Sequence, residues 1–360
     1  MTKIAIIGAY GYTGSLICEQ LEKSRINYSI YGRDEKKLIR LKNTFSYIQF
    51  HSVIDLRIQD DVKSIISSND VIINCAGPFT EESEILVEES AINGKIYLDI
   101  CGEIGFVKSS NEKYNQIAQK AKATIIHGCA FESLFADLAL QKISKSGVII
   151  NSLKTIYDFN QRMISPGTRI TMKLSKFRDS LKIDNGVWSI SNIKKDLILV
   201  EIDNNSFKYA IPYSLPEIAY AYWNYDTFSA ESFLIVDDTE AKLLAEKPKL
   251  LGDPLKVLDK LRFRKKNGPV EEIRKSQKSR LIISVNTGTD NEVNAILKSS
   301  DMYLNTAKSI VLAIENIVEN GNKVFGVVSP GLIFQDSLSQ TINKLSIDFK
   351  LIQKVKFKNV

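Results

Sequence analysis

The chain has 360 residues, with 48 Lys and Arg against 42 Asp and Glu, and a formal net charge of +6. This length corresponds to about two domains, and the 44% hydrophobic and 25% charged fractions exclude intrinsic disorder, collagen-like repeats and a disulfide scaffold. Only two histidines, His51 and His127, and four cysteines without a C-x-x-C pair are present, so no zinc-binding pattern is visible. We therefore expect a bound cofactor, and no metal, to carry the chemistry.

Short apolar runs alternate with amphipathic segments over the first 130 residues. The predicted strands are 3–8, 28–32, 48–53, 70–76, 95–100 and 123–129. The predicted helices are 13–24, 34–44, 60–68, 81–93 and 110–121. Continuously apolar strands are typical of a parallel sheet covered by helices on both faces. The alternation predicts a doubly wound α/β domain of the Rossmann type over residues 1–130.

The pattern changes after a predicted helix at 131–145. From 148 to about 236, apolar and polar residues alternate between turns, which is typical of antiparallel strands. Further predicted elements are helices at 215–223, 238–247, 253–264 and 301–319, a strand at 280–287, and a last short helix and strand. We predict an α+β substrate or dimerisation domain over 131–300 and a C-terminal helix and strand over 301–360.

No segment predicts export or membrane insertion. The opening residues run directly into a strand and a glycine loop and lack the apolar stretch and cleavage site of a signal peptide. The most apolar later segment, 309–318, is short and is interrupted by Glu315. We expect a cytoplasmic protein without an integral membrane segment.

A glycine-rich loop follows the first predicted strand and opens the first helix. It comprises Gly8, Tyr10, Gly11, Tyr12, Thr13 and Gly14, with the spacing G-x-x-G-x-x-G. Glycines at these positions permit a tight turn, a close backbone approach to a pyrophosphate, and close packing of the helix on the sheet. The strand before it and the helix after it predict a dinucleotide-binding loop.

The end of the second strand indicates which dinucleotide is bound. NAD-specific sites place a carboxylate there, whereas this chain has Arg33, followed by Asp34 and two lysines, Lys36 and Lys37. A guanidinium can pair with a 2′-phosphate and stack on adenine. We therefore predict NADP(H) rather than NAD, and we interpret Asp34 as the N-cap of the next helix.

The fourth strand ends beside the crevice in which the nicotinamide half of a dinucleotide should lie. The residues that follow it are Cys75, Ala76, Gly77, Pro78 and Phe79. The Gly-Pro pair fixes a turn, and Phe79 offers an apolar surface to the ligand. We assign these five residues to the cofactor site.

Five segments together resemble a known family: GAYGYTG (8–14), YGRDEKKL (31–38), CAGPF (75–79), YLDICGE (97–103) and GCAFESLFADLAL (128–140). In this order and spacing they resemble the saccharopine dehydrogenase-like oxidoreductases, nearest to the trans-acting enoyl reductase branch. The resemblance implies a Rossmann domain, NADP(H)-dependent reduction, a second domain that dimerises or covers the cofactor, and a C-terminal region that packs back on the first domain.

The catalytic residues are less well determined by the sequence. We select Glu103 and Ser133, which follow the fifth and sixth strands, as candidates. Asp99 could orient a substrate or act as an acid, and His127 is either a proton donor or a packing residue. A dicarboxylate substrate would need cations, for which Arg162 and Arg169 are available.

Two further patterns have a functional and a structural interpretation. Cys75, Cys101 and Cys129 each follow a strand, and form either a redox-sensitive or metal-competent cluster or, the interpretation we favour, ordinary buried packing. The segment 256–280 carries ten Lys and Arg against three acids, and we favour a solvated face over a nucleic-acid or anionic-membrane surface.

The sequence thus predicts an NADP(H)-dependent oxidoreductase that transfers a hydride to an activated C=C or C=N bond of a small or acyl substrate. The alternatives are imine reduction on an amino acid, as in saccharopine reductases, and a non-catalytic NADP-binding scaffold. We expect no nucleic-acid partner, and a homodimer is the assembly that the resemblance allows.

Overall fold

The computed structural model describes residues 2–159, 164–168, 180–192, 195–203, 206–246, 268–288 and 291–359. Two compact units divide the chain. The first unit comprises Met1–Leu134 and Met302–Thr341, and the second comprises Phe135–Asp301 and Ile342–Val360.

Helices alternate with strands through the first 126 residues, and strands predominate in the second unit. Their bounds are β1 (Ile4–Ile7), α1 (Tyr12–Lys23), β2 (Tyr28–Gly32), α2 (Glu35–Thr44), β3 (Ile48–Val53), α3 (Gln59–Ser68), β4 (Val71–Asn74), α4 (Glu81–Ile92), β5 (Ile96–Asp99), α5 (Ile104–Ala121), β6 (Thr124–Ile126), α6 (Phe131–Lys145), β7 (Ser152–Phe159), β8 (Ser180–Asp184), β9 (Val187–Ser191), β10 (Ile198–Asp203), β11 (Ser206–Pro212), α7 (Glu217–Tyr225), β12 (Ser229–Ile235), α8 (Asp238–Glu246), α9 (Glu271–Ser276), β13 (Lys278–Asn286), β14 (Glu292–Ser300), α10 (Met302–Asn320), β15 (Gly326–Val328), α11 (Leu338–Lys344), β16 (Asp348–Ile352) and β17 (Phe357–Asn359).

The first unit is built on a parallel sheet. Its strand order is β15-β6-β5-β4-β1-β2-β3, and each neighbouring pair is parallel. The central strands are apolar and buried throughout because helices cover both faces, as the continuous apolar runs predicted. In the register, Asn74 lies beside Asp99, so the carboxyl ends of β4 and β5 are adjacent.

The second unit contains a mixed sheet of order β16-β14-β13-β7-β12-β11-β10-β17, with the β8–β9 hairpin joined to β12. Its neighbours are antiparallel except for the parallel pair β7 and β12. One face carries an apolar cluster that includes Ile156, Phe233 and Ile282. The predicted fold class, a Rossmann domain with a mostly antiparallel α+β domain, is confirmed.

Several predicted elements differ from the structure. Helix α5 begins at Ile104 and not near residue 110, because its first turn follows the loop after β5 directly. Strands β14 and β15 were not predicted. β15 has only three residues, and its pairing with β6 is non-local. The predicted helix at 253–264 lies outside the described residues.

A buried carboxyl group lies inside the second unit. Glu217, the first residue of α7, has no exposed surface. The hydroxyl groups of Thr155 (3.0 Å) and Ser232 donate to its Oε1. Burial raises the pKa of Glu217, and the hydroxyl donors only partly oppose this effect. On β12, Glu231 contrasts with it: burial raises its pKa, but Lys154 and Lys182 outweigh burial and lower it.

Because their pKa values are shifted in opposite directions, Glu217 and Glu231 should have opposite effects on how the stability of the second unit depends on pH. The folded-state pKa of Glu217 exceeds its unfolded value, so its contribution to stability is lost as the pH rises through the folded value. We expect Glu217→Gln to raise the free energy of unfolding at about pH 8, with a smaller effect near pH 4. Glu231→Gln is the matched control and should lower stability at about pH 8, because its pKa shift has the opposite sign.

Urea unfolding, monitored by tryptophan fluorescence, measures the free energy of unfolding of each variant. Both tryptophans of the chain, Trp188 and Trp223, belong to the second unit. Equal destabilisation by both glutamine variants at about pH 8 would contradict the assignment.

Candidate functional site

The glycine-rich loop connects β1 to α1 as predicted from the sequence. The Gly8 N–H donates to the Tyr31 carbonyl (3.0 Å), and the Gly11 N–H donates to the Gly8 carbonyl (2.9 Å), closing a turn. Gly11 is the N-cap of α1 and supplies no side-chain acceptor to the first helical turn. Backbone N–H groups at such a helix start suit an anion, so the loop fits a pyrophosphate.

Gly14 permits the close packing expected at the third glycine. A Cβ at this position would lie 2.5 Å from the Gly8 carbonyl oxygen and 2.9 Å from the Ala9 Cα. Both neighbours are backbone atoms and cannot move aside. On the same helix, Tyr12 packs edge-on against Tyr303 of α10, with ring centroids 4.9 Å apart.

The end of β2 is built around the Tyr10 ring. A Cβ at Gly32 would lie 2.5 Å from Tyr10 Cε1, so any larger residue there would displace the Tyr10 ring. The Tyr10 hydroxyl accepts a hydrogen bond from the Arg33 backbone N–H (2.9 Å), and Lys37 Nζ lies 5.2 Å from the ring centroid. Tyr10 thus orients the backbone that carries Arg33, and the Arg33 side chain is exposed.

The acids near Arg33 have structural partners. Asp34 caps α2, because its Oδ1 accepts from the Lys37 N–H (3.2 Å), and this hydrogen bond lowers the pKa of Asp34. This confirms the predicted N-cap. Asp55, after β3, pairs with Arg57, and hydrogen bonds from Arg57, with a smaller contribution from the Arg33 charge, hold the pKa of Asp55 at about 2.

The loop after β4 is attached to its neighbours by hydrogen bonds. The Cys75 N–H donates to the Ile7 carbonyl (2.9 Å), and the Ala76 N–H donates to Asn74 Oδ1 (3.0 Å). A cis peptide bond joins Gly77 to Pro78. The predicted residues Cys75–Phe79 therefore start at the edge of the sheet beside the glycine-rich loop.

Asp99 is the centre of the strand-end region. Its side chain has no exposed surface, and its Oδ1 accepts from the Gly128 N–H (2.8 Å) and the Cys101 N–H (3.1 Å). Its main-chain carbonyl accepts from the Cys129 N–H (2.8 Å). The carboxylate thus joins the loop after β5 to the loop after β6.

A histidine and a serine complete this network. His127 Nδ1 lies 2.6 Å from Asp99 Oδ2, and His127 Nε2 lies 2.7 Å from Ser110 Oγ. An ionised carboxylate only accepts hydrogen bonds, so Nδ1 donates to Asp99, and Nε2 shares a hydrogen bond with the Ser110 hydroxyl. The Asp–His–Ser order resembles a hydrolytic triad, but Ser110 is buried within α5.

The sequence analysis missed Ser110, although a signal was present. The buried residues of α5 are Ile104, Val107, Ser110, Tyr114 and Ala118. A serine within an apolar helical stripe indicates a buried hydroxyl group, which requires a hydrogen-bonding partner.

The two predicted catalytic residues occupy different environments. Glu103 is half-buried at the N-cap of α5, and its Oε2 accepts from the Gly102 N–H (2.9 Å). Ser133 is buried within α6. Glu103 is therefore the more accessible of the two, and both catalytic roles remain predictions.

The cysteines that follow the strands surround Asp99. Burial raises the pKa of Cys101 and Cys129, and the Asp99 charge adds to this effect. Burial also raises the pKa of Cys75, with smaller contributions from Cys18 and Asp99. Neutral thiols of this kind favour packing over the redox-sensitive cluster.

One group of side chains has the composition of a metal site. Ligand atoms of Asp99, Cys101 and His127 lie within 4.8 Å of one another. Both ring nitrogens of His127 are engaged in hydrogen bonds, and burial keeps the Cys101 thiol protonated. These contacts favour a hydrogen-bonded network, and the absence of a metal stays a prediction.

Part of the basic segment can be described. Residues 256–267 lie outside the described residues, as do Arg162 and Arg169. In the described part, Arg274 pairs with Asp301, Arg280 pairs with Asp158, and Lys275 pairs with Glu271. Arg274 is buried and Arg280 is mostly buried in their ion pairs, so these two arginines belong neither to a solvated face nor to a surface that binds an external anion.

Comparison with known proteins identifies the first unit. Residues 4–126 match the family model of the saccharopine dehydrogenase NADP-binding domain. The resemblance to the saccharopine dehydrogenase-like oxidoreductases is thereby confirmed, and so is the prediction of NADP as the cofactor. The family match is limited to residues 4–126, and the rest of the chain lies outside it.

Two relatives and one structure illustrate how far the similarity extends. The lipid droplet localized protein of Caenorhabditis elegans is 24% identical over 174 residues, which cover 45% of this chain and 40% of that protein. The trans-acting enoyl reductase of Mycobacterium leprae is 25% identical over 179 residues, 46% of this chain and 42% of that protein. The matched region thus spans about two fifths of these relatives' length.

The structural comparison extends over the whole chain. Apo saccharopine dehydrogenase (L-Glu forming) of Saccharomyces cerevisiae matches with a TM-score of 0.64 at 10% identity, covering 98% of this chain and all of that one. At this identity the match shows the fold alone. Among the described helices, none is long and apolar enough to cross a membrane. A cytoplasmic location stays a prediction.

Thiol titration tests the state of the cysteines. Because the thiolate is the reactive form, we expect the native protein to react slowly with a disulfide reagent at about pH 8. Half-buried Cys75 should react before the buried Cys18, Cys101 and Cys129. All four thiols should react at once in denaturant. Rapid reaction of several thiols in the native protein would indicate an activated cluster instead.

Proposed function

We propose that this protein uses NADPH to reduce an activated C=C bond of an acyl or other small substrate. The observation that carries the proposal is a domain similar to NADP-binding domains in which the end of β4 is hydrogen-bonded to the end of β1 and Asn74 lies beside Asp99, with Glu103 in the loop that follows Asp99. Reduction of a C=N bond of an amino-acid substrate is the alternative.

The adenosine end of the cofactor would be held by the β2 edge. The exposed Arg33 guanidinium suits the 2′-phosphate, and Tyr10 fixes the backbone of Arg33. The turn from Gly8 to Gly14 and the first turn of α1 would hold the pyrophosphate. Tyr12 and Thr13 lie in that first helical turn.

The nicotinamide end would lie against residues 75–79 at the carboxyl edge of the sheet. When bound, NADPH supplies the hydride. The chain would contribute orientation through Phe79 and a proton from a nearby acid. Glu103 is the candidate acid, because its carboxyl group is only half-buried, and the Gly102 N–H keeps its Oε2 in place.

Two classes of hydride acceptor are considered as the substrate, enoyl compounds and imines. The enoyl class is supported by a relative named as a trans-acting enoyl reductase, and the imine class by the fold shared with saccharopine dehydrogenase. A lipid-droplet relative gives mild additional support to an acyl substrate. The second domain, which would bind the substrate, lies entirely outside the family match.

The 2′-phosphate assignment predicts a selective loss of affinity. We expect Arg33→Ala to weaken NADPH binding by about 10-fold to 100-fold, the effect of losing a charge-assisted hydrogen bond, and to leave NADH binding nearly unchanged. Arg40→Ala on the exposed face of α2 is the matched control and should change neither. Equal losses for both nucleotides, measured by NAD(P)H fluorescence, would contradict the assignment.

From the proposed reaction we expect the protein to oxidise NADPH with an enoyl thioester as acceptor, and to oxidise it more slowly with a cyclic imine. Glu103→Gln should lower kcat by about 100-fold or more with little change in NADPH affinity, because proton donation acts on the chemical step. Glu112→Gln, on the exposed surface of the same helix, is the control. A faster reaction with the imine would favour the alternative, and tight NADPH binding without oxidation by either acceptor would favour a non-catalytic protein.

A further inference from the structure

His127 contacts two elements of the first unit at once, β5 and α5. Its ring nitrogens join the end of β5, through Asp99, to the body of α5, through Ser110. The rings of Tyr97 and Phe106 meet it edge-on, with centroids 5.8 and 5.2 Å away. The side chain has no exposed surface, so His127 can influence a ligand only through its neighbours.

One route leads from His127 to the loop after β5. Asp99 Oδ2 faces the ring, and its Oδ1 accepts from the Cys101 N–H. That loop continues to Glu103, the N-cap of α5. Ser110 lies on the same helix, so the contact between His127 and Ser110 also links the ring to the helix that Glu103 caps.

A second route leads to the loop after β4. Phe106 lies between His127 and Phe79, and the Phe79–Phe106 ring centroids are 6.2 Å apart. Tyr97 also joins the two sides, because its hydroxyl accepts from Asn74 Nδ2 (3.1 Å) and Asn74 Oδ1 receives the Ala76 N–H. Both routes end at residues assigned to the nicotinamide side.

We propose that His127, held by Ser110, is a positioning residue for the nicotinamide half of the cofactor. The inference rests on the proposed function and adds a residue to it. His127 donates through Nδ1 to the buried Asp99 carboxylate and packs against Phe106. It thereby holds the loops after β4 and β5 in the arrangement that accepts the nicotinamide ring.

The contributions of the two ring nitrogens of His127 can be separated by substitution. In His127→Asn the amide nitrogen takes the place of Nδ1 and keeps the donor to Asp99. In His127→Gln the terminal amide takes the place of Nε2 and keeps the contact with Ser110. Ser110→Ala is a milder change, because it removes the Nε2 partner and leaves the Asp99 contact in place.

The experiment compares two ligands on each variant. NADPH occupies the whole site, whereas 2′,5′-ADP contains only the adenosine half that Arg33 would bind. We expect His127→Gln to weaken NADPH binding by about 10-fold, and His127→Asn and Ser110→Ala to weaken it by about 3-fold. In all three variants the dissociation constant of 2′,5′-ADP should stay within about 2-fold of the wild-type value, as measured by calorimetry and NADPH fluorescence.

The outcomes are distinguishable. Parallel loss of 2′,5′-ADP and NADPH in a variant indicates a general folding defect and overturns the positioning role, as does wild-type NADPH affinity in both His127→Gln and Ser110→Ala. If His127→Gln does not fold, the result for Ser110→Ala, with unchanged 2′,5′-ADP binding as its folding control, decides the question. Wild-type protein that binds neither ligand contradicts the proposed function itself.

Discussion

The arrangement of the strand ends depends on one buried carboxylate. A charged group without exposed surface destabilises a fold by several kcal/mol unless its oxygens are fully hydrogen-bonded. Asp99 meets this requirement with donors from three places: the Cys101 N–H, the Gly128 N–H and the His127 ring. Because these donors belong to the loops after β5 and β6, satisfying the carboxylate fixes both loops. The same charge helps to keep the surrounding thiols protonated, after burial itself.

At the end of β2, on the other side of the candidate cofactor site, the structure depends on a different kind of interaction. There the constraint is space: the Tyr10 ring occupies the volume that a side chain at residue 32 would fill. The Tyr10 hydroxyl accepts a hydrogen bond from the Arg33 N–H, and the ring lies near Lys37. One end of the site therefore depends on hydrogen-bond donors around a buried charge, and the other on the absence of a Cβ.

This difference explains how much of the site could be predicted from the sequence. The alternation of strands and helices in the first unit was predictable, because strands buried on both faces have continuous apolar runs. The glycine-rich loop and the Asp34 cap were predictable, because each is a local interaction. Asp99 and His127 were placed at strand ends as separate candidates, and their contact depends on the neighbouring positions of β5 and β6. Strand β15 was missed because its partner β6 is about 200 residues away.

The order Asp–His–Ser carries no function by itself. A hydrolytic serine must reach a substrate carbonyl and have donors for the resulting oxyanion. Ser110 lies in the interior of an 18-residue helix, on the stripe that packs inward, and is 3% exposed. In that position its hydroxyl satisfies a ring nitrogen that burial has removed from water. The hydrogen bonds that activate a nucleophile in an open cleft here hold a carboxylate in place. Access to substrate, and not the hydrogen-bond pattern, therefore decides which role such an array has.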